Sequence, residues 1–551
     1  MLTIKMISRS VRQKVRQTGF GSLNGFGFPT GFVTCAPTVA LLLFAASLGN
    51  AFGQDPLNSP NVIIMMADDM GIGDTSAYQD WTGNKNAVQV KTPAMQQLAN
   101  MGIRFTDAHA PSSRCTATRQ ALLTGRYTWR TRLKYSVLWG PQGDPLIEPG
   151  RPTLATLLQD NDYHTGMSGK WHCGLTYRNN KSKPEPNYDH VDLTKGIADG
   201  PLNHGFDFFH GTSRSHPTSK AQGWIYGSRV VAATGGHKVD ASMYVLDETG
   251  PKNFEMAKTF LDDHFSSHEN RDRPFFLYYA CHSNHTSHDP CSNIAGRQVR
   301  GASHPGGKRS DFIYENDVVL SLLIDFLKQH DDPRRPGRKL IENTLVVFTS
   351  DNGAENKRKS ATGPIRSNKG SVYEGGHRVP FIAAWKLGGI GDGDEKSPGQ
   401  TSDFPICHVD LFATLAEILG AKLPADGAED SFSILSALKN SPPTSRPPLF
   451  HNDHNEGARA AGKKPSSPEA AWLAIRADDP IVNGKRVAGQ WKLFVDHELL
   501  MGGKANPKEL YELRTDLREQ SNRIDDSQLK PLVDHLTEQL ERIHKQGRIR
   551  S

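Results

Sequence analysis

The sequence predicts an α/β fold: a large, mostly parallel central sheet flanked by helices, followed by a smaller C-terminal α+β subdomain with a short antiparallel sheet and a terminal helix. Three observations predict it. Short apolar runs of strand length alternate with amphipathic stretches of helical length. Four of those runs end in clusters of polar residues. A segment rich in Pro, Ser, Gly and charge then separates the last part of the chain from the rest.

At 551 residues and 36% hydrophobic content the chain can bury a large core, divided between two or more structural units. Residues 1–51 contain no acidic residue. Lys5, Arg9, Arg12, Lys14 and Arg16 precede an apolar run from Ala36 to Leu48, and Gly49-Asn50-Ala51 supplies small residues for cleavage. The run is too short to span a bilayer comfortably, so residues 1–51 read as an export signal. An uncleaved anchor, or a true start at Met6, is the alternative. Export implies a periplasmic or secreted protein that meets a membrane only through that signal. Removing the leader takes the formal charge from +6 to near +1, so the basicity gives no ground for a nucleic-acid partner. It also removes Cys35 and leaves Cys115, Cys173, Cys281, Cys291 and Cys407, an odd number in an oxidising compartment. With Cys115 set aside, three pairings of the other four are open, as are free buried thiols.

The first expected strand is Asn61 to Ala67, an unbroken apolar run leading into Asp68-Asp69. Thr92-Pro93 opens a helix, because Pro at the first position gives up no hydrogen bond, and Gly102 closes it before the strand Ile103-Arg104-Phe105. Thr153 to Leu158 reads as helix, Tyr163 to Ser168 and Pro274 to Ala280 as strands. Tyr314 to Leu327 is an amphipathic helix ahead of the strand Thr344 to Thr349, and Phe412 to Leu419 is a further helix. The stretch from Lys422 to Glu469 has the composition of a connection. This gives a catalytic domain over 58–445 and a C-terminal subdomain over 446–551. In the latter, Trp472 to Arg476 and Gln490 to Val495 read as strands. Leu529, Leu532, Val533, Leu536, Leu540 and Ile543 mark one face of the final helix.

In parallel sheets ligands gather beyond the carboxyl ends of the strands. The polar clusters at those ends are Asp68-Asp69, Lys170-Trp171-His172, His282 to His285, and Asp351-Asn352. The two acidic pairs offer hard oxygen ligands of the kind Ca²⁺ needs, although such pairs also serve as solvated turns and helix caps. Thr116 to Leu123 reads as helix stopped by Gly125. Residue 115 then sits at a helix N-terminus, where backbone N–H groups and the dipole favour an anion. Taken alone, Cys115 is equally a plain buried thiol.

Pro111-Ser112-Ser113-Arg114-Cys115-Thr116-Ala117-Thr118-Arg119-Gln120-Ala121-Leu122-Leu123-Thr124-Gly125-Arg126 resembles the signature of the sulfatase family, with Ala117 where Pro is commonest. Gly169-Lys170-Trp171-His172 resembles the second signature, with Asp162 ahead of it in place of the usual Gly. Pro274 to Thr286 resembles the segment carrying a further active-site histidine, by alignment His285, with Asn284 in place of a frequent Pro. Ser367 to Pro380 resembles the loop whose lysine contacts sulfate, here Lys369. His204-Gly205-Phe206-Asp207 and Trp491-Lys492-Leu493 match further landmarks. The likeness runs from about Asn61 to Leu513.

That resemblance implies an alkaline phosphatase-like fold and a sulfuric ester hydrolase with Cys115, Arg119, Lys170, His172, His285 and Lys369 as catalytic residues. It implies one Ca²⁺ bound by Asp68, Asp69, residue 115, Asp351 and Asn352. Cys115 would be oxidised by a formylglycine-generating enzyme to formylglycine, whose hydrate attacks sulfur and forms a covalent sulfo-enzyme. Lys170, Lys369 and the ion would hold sulfate oxygens, His285 would protonate the departing alcohol, and His172 would release sulfate. The expected substrate is a sulfated carbohydrate. A small aryl sulfate, a phosphate or phosphonate monoester, and a non-catalytic module that binds sulfated glycans are the competing readings.

Overall fold

The computed structural model describes residues 59–82, 89–139, 145–214, 223–355, 359–457, 462–464 and 467–550. The expected export signal lies outside them. The described residues all fall in one compact unit.

The main sheet has ten strands: β1 (Asn61–Ala67), β2 (Ile103–Phe105), β3 (His164–Lys170), β4 (Phe208–Thr212), β5 (Ile225–Tyr226), β6 (Arg229–Val230), β7 (Phe275–Ala280), β8 (Thr344–Ser350), β9 (Phe381–Ala384) and β10 (Gln400–Ser402). Their order is β6-β5-β4-β3-β7-β1-β8-β9-β2-β10. From β4 to β8 the pairings are all parallel, β9 is antiparallel to both its neighbours, and β10 is parallel to β2. The sheet is therefore mixed but mostly parallel, as expected. The strand of Ile103 to Phe105 follows the first helix in sequence yet lies beyond β8 and β9 in space, an order that local periodicity does not encode.

A parallel strand covered on both faces reads as continuous apolar sequence. Every residue of β1 is buried. Val62, Ile64 and Met66 enter one core while Ile63, Met65 and Ala67 enter the other, because successive side chains leave a strand on opposite faces. The first core takes in α2 (Cys115–Thr124), α3 (Leu154–Gln159) and α6 (Asp410–Ile418). The second takes in α1 (Pro93–Met101), α4 (Thr249–Ser266) and α5 (Lys308–Gln329). Helix α5 starts at Lys308, ahead of the expected Tyr314, since its first turn is polar and the apolar periodicity begins only at Phe312. Cys115, Cys173, Cys281, Cys291 and Cys407 are each buried and free.

The C-terminal part holds a four-stranded antiparallel sheet, β11 (Leu449–His454), β12 (Ala471–Asp478), β13 (Gln490–Val495) and β14 (Pro507–Glu512), and the terminal helix α7 (Lys530–Gln546). Leu473, Ile475 and Leu493 of this sheet share a core with Leu532, Leu536 and Leu540 of α7 and with Ala121 of α2. A buried ionic network adds to it. Lys492 Nζ on β13 donates to Glu374 Oε1 at 2.9 Å, Glu519 Oε1 at 2.9 Å and His377 Nε2 at 3.0 Å. Arg476 on β12 grips Asp107 at 2.7 and 2.6 Å, and Arg378 joins Asp107 to Glu374 at 2.8 and 2.7 Å. Burial alone would raise the Glu374 carboxyl, but Lys492 and Arg378 outweigh it and hold it well below the usual range. Burial pushes Glu519 up to about 7.

Two outcomes follow from this core. Lys492→Met leaves two buried carboxylates without their shared cation, so it should cost about 3–5 kcal/mol in urea unfolding; a loss below about 1 kcal/mol would show that the network is not structural. Burial also depresses His109 to about 4 and His408 and His264 to about 3. These rings stay neutral in the fold but take up protons near pH 6.5 when unfolded, so their contribution is complete above about pH 6.5 and is lost as pH falls from there toward 4 and 3. The free energy of urea unfolding should drop between about pH 7 and pH 5 by up to about 1.4 kcal/mol per histidine per pH unit; an unchanged value contradicts it.

Candidate active site

Strands β1 and β8 run side by side with Ala67 opposite Ser350. Asp68 and Asp351 therefore leave neighbouring strand ends together. The Asp351 N–H donates to the Ala67 carbonyl at 3.1 Å, and the Asp69 N–H donates to Asp351 Oδ1 at 3.1 Å. Asp69 has a φ of 65°, in the left-handed region that few side chains adopt. That turn stops the strand alternation, so two consecutive carboxylates serve one crevice. Asn352 Nδ2 donates to Asp69 Oδ1 at 2.8 Å, and Asp68, Asp69, Asp351 and Asn352 are all fully buried.

Three cations offset the carboxylates. Lys170, the last residue of β3, donates from Nζ to Asp68 Oδ2 at 2.7 Å. Arg119, one helical turn after Cys115 on α2 and so on the same face, donates from Nη2 and Nε to Asp351 Oδ2 at 2.8 and 3.1 Å, and from Nη1 to the Lys170 carbonyl at 3.1 Å. Lys369, in the loop between β8 and β9, donates to Asp69 Oδ2 at 2.7 Å. Burial would raise Asp69, but Lys369, His285 and Lys170 outweigh it and hold its carboxyl far below the usual range. Burial and the charge of Asp68 together lift Asp351 to about 6.

Cys115 is the first residue of α2, which ends at Gly125 with a φ of 62° and an N–H bond to the Ala121 carbonyl. A ligand atom from each of Asp68, Cys115 and Asp351 lies within 4.8 Å of the others. Burial raises the pKa of the thiol. Two oxygens at this point, Asp68 Oδ1 and Asn352 Oδ1, are buried with no hydrogen-bond partner. Unpaired buried oxygens beside carboxylates suit a hard divalent cation such as Ca²⁺. Among the described residues the other groupings with metal-ligand spacing join His109 with His377 and His451, or with Asp107 and Glu374. There Lys492 and Arg476 already supply the positive charge, and the His377 and His451 rings stack in parallel planes that share no common ligand direction.

The two expected histidines differ in state. His172 Nε2 donates to the Leu138 carbonyl at 3.2 Å, which fixes that tautomer and leaves Nδ1, buried and without a partner, as the basic nitrogen. Burial holds the ring well below its usual pKa. His285 is partly exposed; its Nδ1 donates to the Thr286 carbonyl at 2.6 Å, and its Nε2 lies 3.9 Å from Asp69 Oδ2. Burial brings it to about 4. Its neighbour His282 has both nitrogens occupied, by Asn253 Nδ2 at 2.7 Å and Thr212 Oγ1 at 2.6 Å. The loop bearing His285 is tied to β1 through the Asn284 N–H to the Asp68 carbonyl at 2.8 Å, and to the Asp351 loop through Thr286 and Glu355.

All ten residues expected at the site thus surround one crevice at the carboxyl ends of β1, β3, β7 and β8. Leu138, Thr116 and Glu355, which buttress it, were not among them. Leu138 and Glu355 act through a carbonyl or a loop contact that no sequence motif marks.

A family model described as Sulfatase matches residues 60–421. Arylsulfatase A of Homo sapiens is 33% identical over 431 residues, spanning 75% of this chain and 73% of the relative. The N-acetylgalactosamine-6-O-sulfatase of Bacteroides thetaiotaomicron is 27% identical over 522 residues, spanning 84% and 89%. A solved structure from work on the metabolism of multiple glycosaminoglycans by Bacteroides thetaiotaomicron superposes with a TM-score of 0.66 at 24% identity, over 89% of this chain and 100% of that one, and this likeness shows the fold.

The unpaired oxygens yield a direct test. In chelator-treated protein, Ca²⁺ at about a hundredfold excess over its Kd should add about 2.7 kcal/mol to stability, seen as a rise in Tm. Asp68→Asn should abolish the rise, and a rise that survives this change would place the ion elsewhere.

Proposed function

The chain belongs to the sulfatase family of sulfuric ester hydrolases, and from that premise we propose that it removes sulfate from a sulfated carbohydrate through residue 115 matured to formylglycine. The convergence of Arg119, Lys170 and Lys369 with Asp68, Asp69 and Asp351 around the helix end at residue 115 carries the reading.

A sulfate ester is anionic and its alkoxide leaves poorly, so a catalyst must neutralise charge, position a nucleophile and deliver a proton. Oxidised by a formylglycine-generating enzyme, residue 115 would present a hydrated aldehyde whose hydroxyl faces sulfur. A Ca²⁺ held by Asp68, Asp69, Asp351, Asn352 and residue 115 would draw charge from the sulfate and acidify that hydroxyl. Lys170 and Lys369 supply ammonium groups to the sulfate oxygens. Asp351, whose carboxylate Arg119 holds in place beside residue 115, would accept the proton from that hydroxyl. His285, partly exposed at the crevice mouth, would deliver a proton to the departing alcohol through Nε2 as the imidazolium, a form that a bound anionic ester favours over the neutral ring. The bare Nδ1 of His172 then takes the proton whose removal frees sulfate. The carbohydrate substrate is supported by the relative named as an N-acetylgalactosamine-6-O-sulfatase. The acid-free basic leader supports export to the periplasm or beyond. No helix among the described residues is long and apolar enough to cross a membrane.

Mass spectrometry of the peptide containing residue 115, from protein made beside a formylglycine-generating enzyme, should find the aldehyde. Cys115→Ala should lower turnover more than about 10³-fold. A fully active enzyme with an unmodified thiol would sink the mechanism, and a large preference for aryl phosphate over aryl sulfate would overturn the substrate class.

A further inference from the structure

The His285 ring is partly exposed and Thr286, which follows it, lies in solvent, so hydrogen bonds rather than a packed shell must fix where Nε2 points. Ahead of the ring, the Asn284 N–H and Nδ2 donate to the Asp68 and Asp69 carbonyls at 2.8 and 3.2 Å, and the His285 N–H closes a turn onto the His282 carbonyl at 3.1 Å. Beyond it, the ring's own Nδ1 donates to the Thr286 carbonyl at 2.6 Å. The orientation of the imidazole thus follows that of Thr286.

Glu355 fixes Thr286. One carboxylate oxygen, Oε2, accepts from the Thr286 N–H at 3.0 Å and from the Thr286 hydroxyl. Hydrogen bonds to an ionised acceptor are shorter and stronger than neutral ones, so this anchor holds even at a rim open to water. The backbone beneath the carboxylate is held independently. The Ala354 carbonyl accepts from the Lys369 N–H at 3.0 Å, and the Glu355 carbonyl accepts from Asn368 Nδ2 at 3.0 Å. The main chain at Glu355 therefore supports the loop of Lys369, while its half-buried side chain supports the loop of His285. A side-chain substitution separates the two.

We propose that Glu355 is a positioning residue for the general acid: through Thr286 it aims His285 Nε2 at the bridging oxygen of the ester. As the S–O bond breaks, that oxygen keeps the bonding pair, takes the Nε2 proton and leaves as a neutral alcohol, and the ring is left neutral. A displacement of about 1 Å from that line can cost about a hundredfold in rate. A leaving group that carries negative charge well has little need of the proton. The contribution of Glu355 therefore grows with the basicity of the departing alcohol. This rests on the sulfatase reading and adds a residue to it.

The test measures kcat and KM of the matured protein on aryl sulfates of rising phenol basicity, from 4-nitrophenyl sulfate to 4-methoxyphenyl sulfate, with N-acetylgalactosamine 6-sulfate as an alkyl member. Glu355→Ala should leave kcat on 4-nitrophenyl sulfate within about twofold of wild type and lower it at least about tenfold on the most basic leaving groups. KM should hold throughout, since the lost contact acts only in the transition state. Glu355→Gln keeps an oxygen that accepts from Thr286 and should recover most of the loss. In a His285→Ala background, Glu355→Ala should cost less than about twofold more, because the two residues act as one unit. A loss equal along the series, or one that persists in full without His285, makes Glu355 a structural prop and refutes the proposal. Full activity of Glu355→Ala on every member refutes it too. In each of these cases a wild type active on the series keeps the sulfatase reading. A matured wild type that hydrolyses no member refutes both.

Discussion

The structure depends on placing several carboxylates together in a buried site. The register of β1 on β8 brings Asp68 and Asp351 side by side, and the left-handed turn at Asp69 adds a third carboxylate. Buried like charges this close do not hold as a folded site unless cations are built in with them. Arg119, Lys170 and Lys369 come from a helix, a strand end and a loop that are remote in sequence, and each forms a short ion pair with a different aspartate. The same groups that balance one another here can turn toward a cation and an anionic ester. A strong electrostatic field is therefore in place before any substrate binds.

Behind the crevice a second buried network does structural work. Lys492, Arg476 and Arg378 meet Glu374, Glu519 and Asp107 where the antiparallel sheet packs on the main sheet. Glu374 lies shortly after Lys369 in the chain, so the loop that carries Lys369 is fixed at one end to the C-terminal strands. Ionic contacts of this kind add little net stability over apolar packing, but they are directional. A loop that must present one amino group to one site gains orientation from them.

Much of the fold is readable in the sequence because parallel strands buried on both faces become unbroken apolar runs. Asn61 to Ala67 and Gln490 to Val495 coincide with their strands, and Pro93 and Gly102 mark the ends of α1. Helix α4 escapes notice because its opening turn holds Gly250 and Pro251 and its buried pairs Met256-Ala257 and Phe260-Leu261 are short runs among polar residues. The short strands β9 and β10 gain their identity from pairing partners distant in sequence. The expected boundary near residue 445 falls just ahead of β11, in a stretch whose neighbours on both sides share one core. At the site, motif spacing names the charged residues, but not the Leu138 carbonyl that sets the His172 tautomer, nor the Asn253 and Thr212 contacts that occupy His282 while His285 stays at the mouth. Those distinctions are made by contacts over long sequence distances.

The burial of Cys115 also bears on timing. Its side chain is buried at the first residue of α2, with its sulfur within 4.8 Å of carboxylate oxygens of Asp68 and Asp351, and Arg119 is locked one turn further along the same helix. An enzyme that oxidised this residue would need access to its side chain, and residues 115–124 are helical and buried in the fold. If residue 115 is oxidised as proposed above, that step would belong to the interval between synthesis and collapse. A chain that folds first would keep an inert thiol at the centre of a fully assembled crevice. The folding rate of this segment would then set the share of molecules that ever become active.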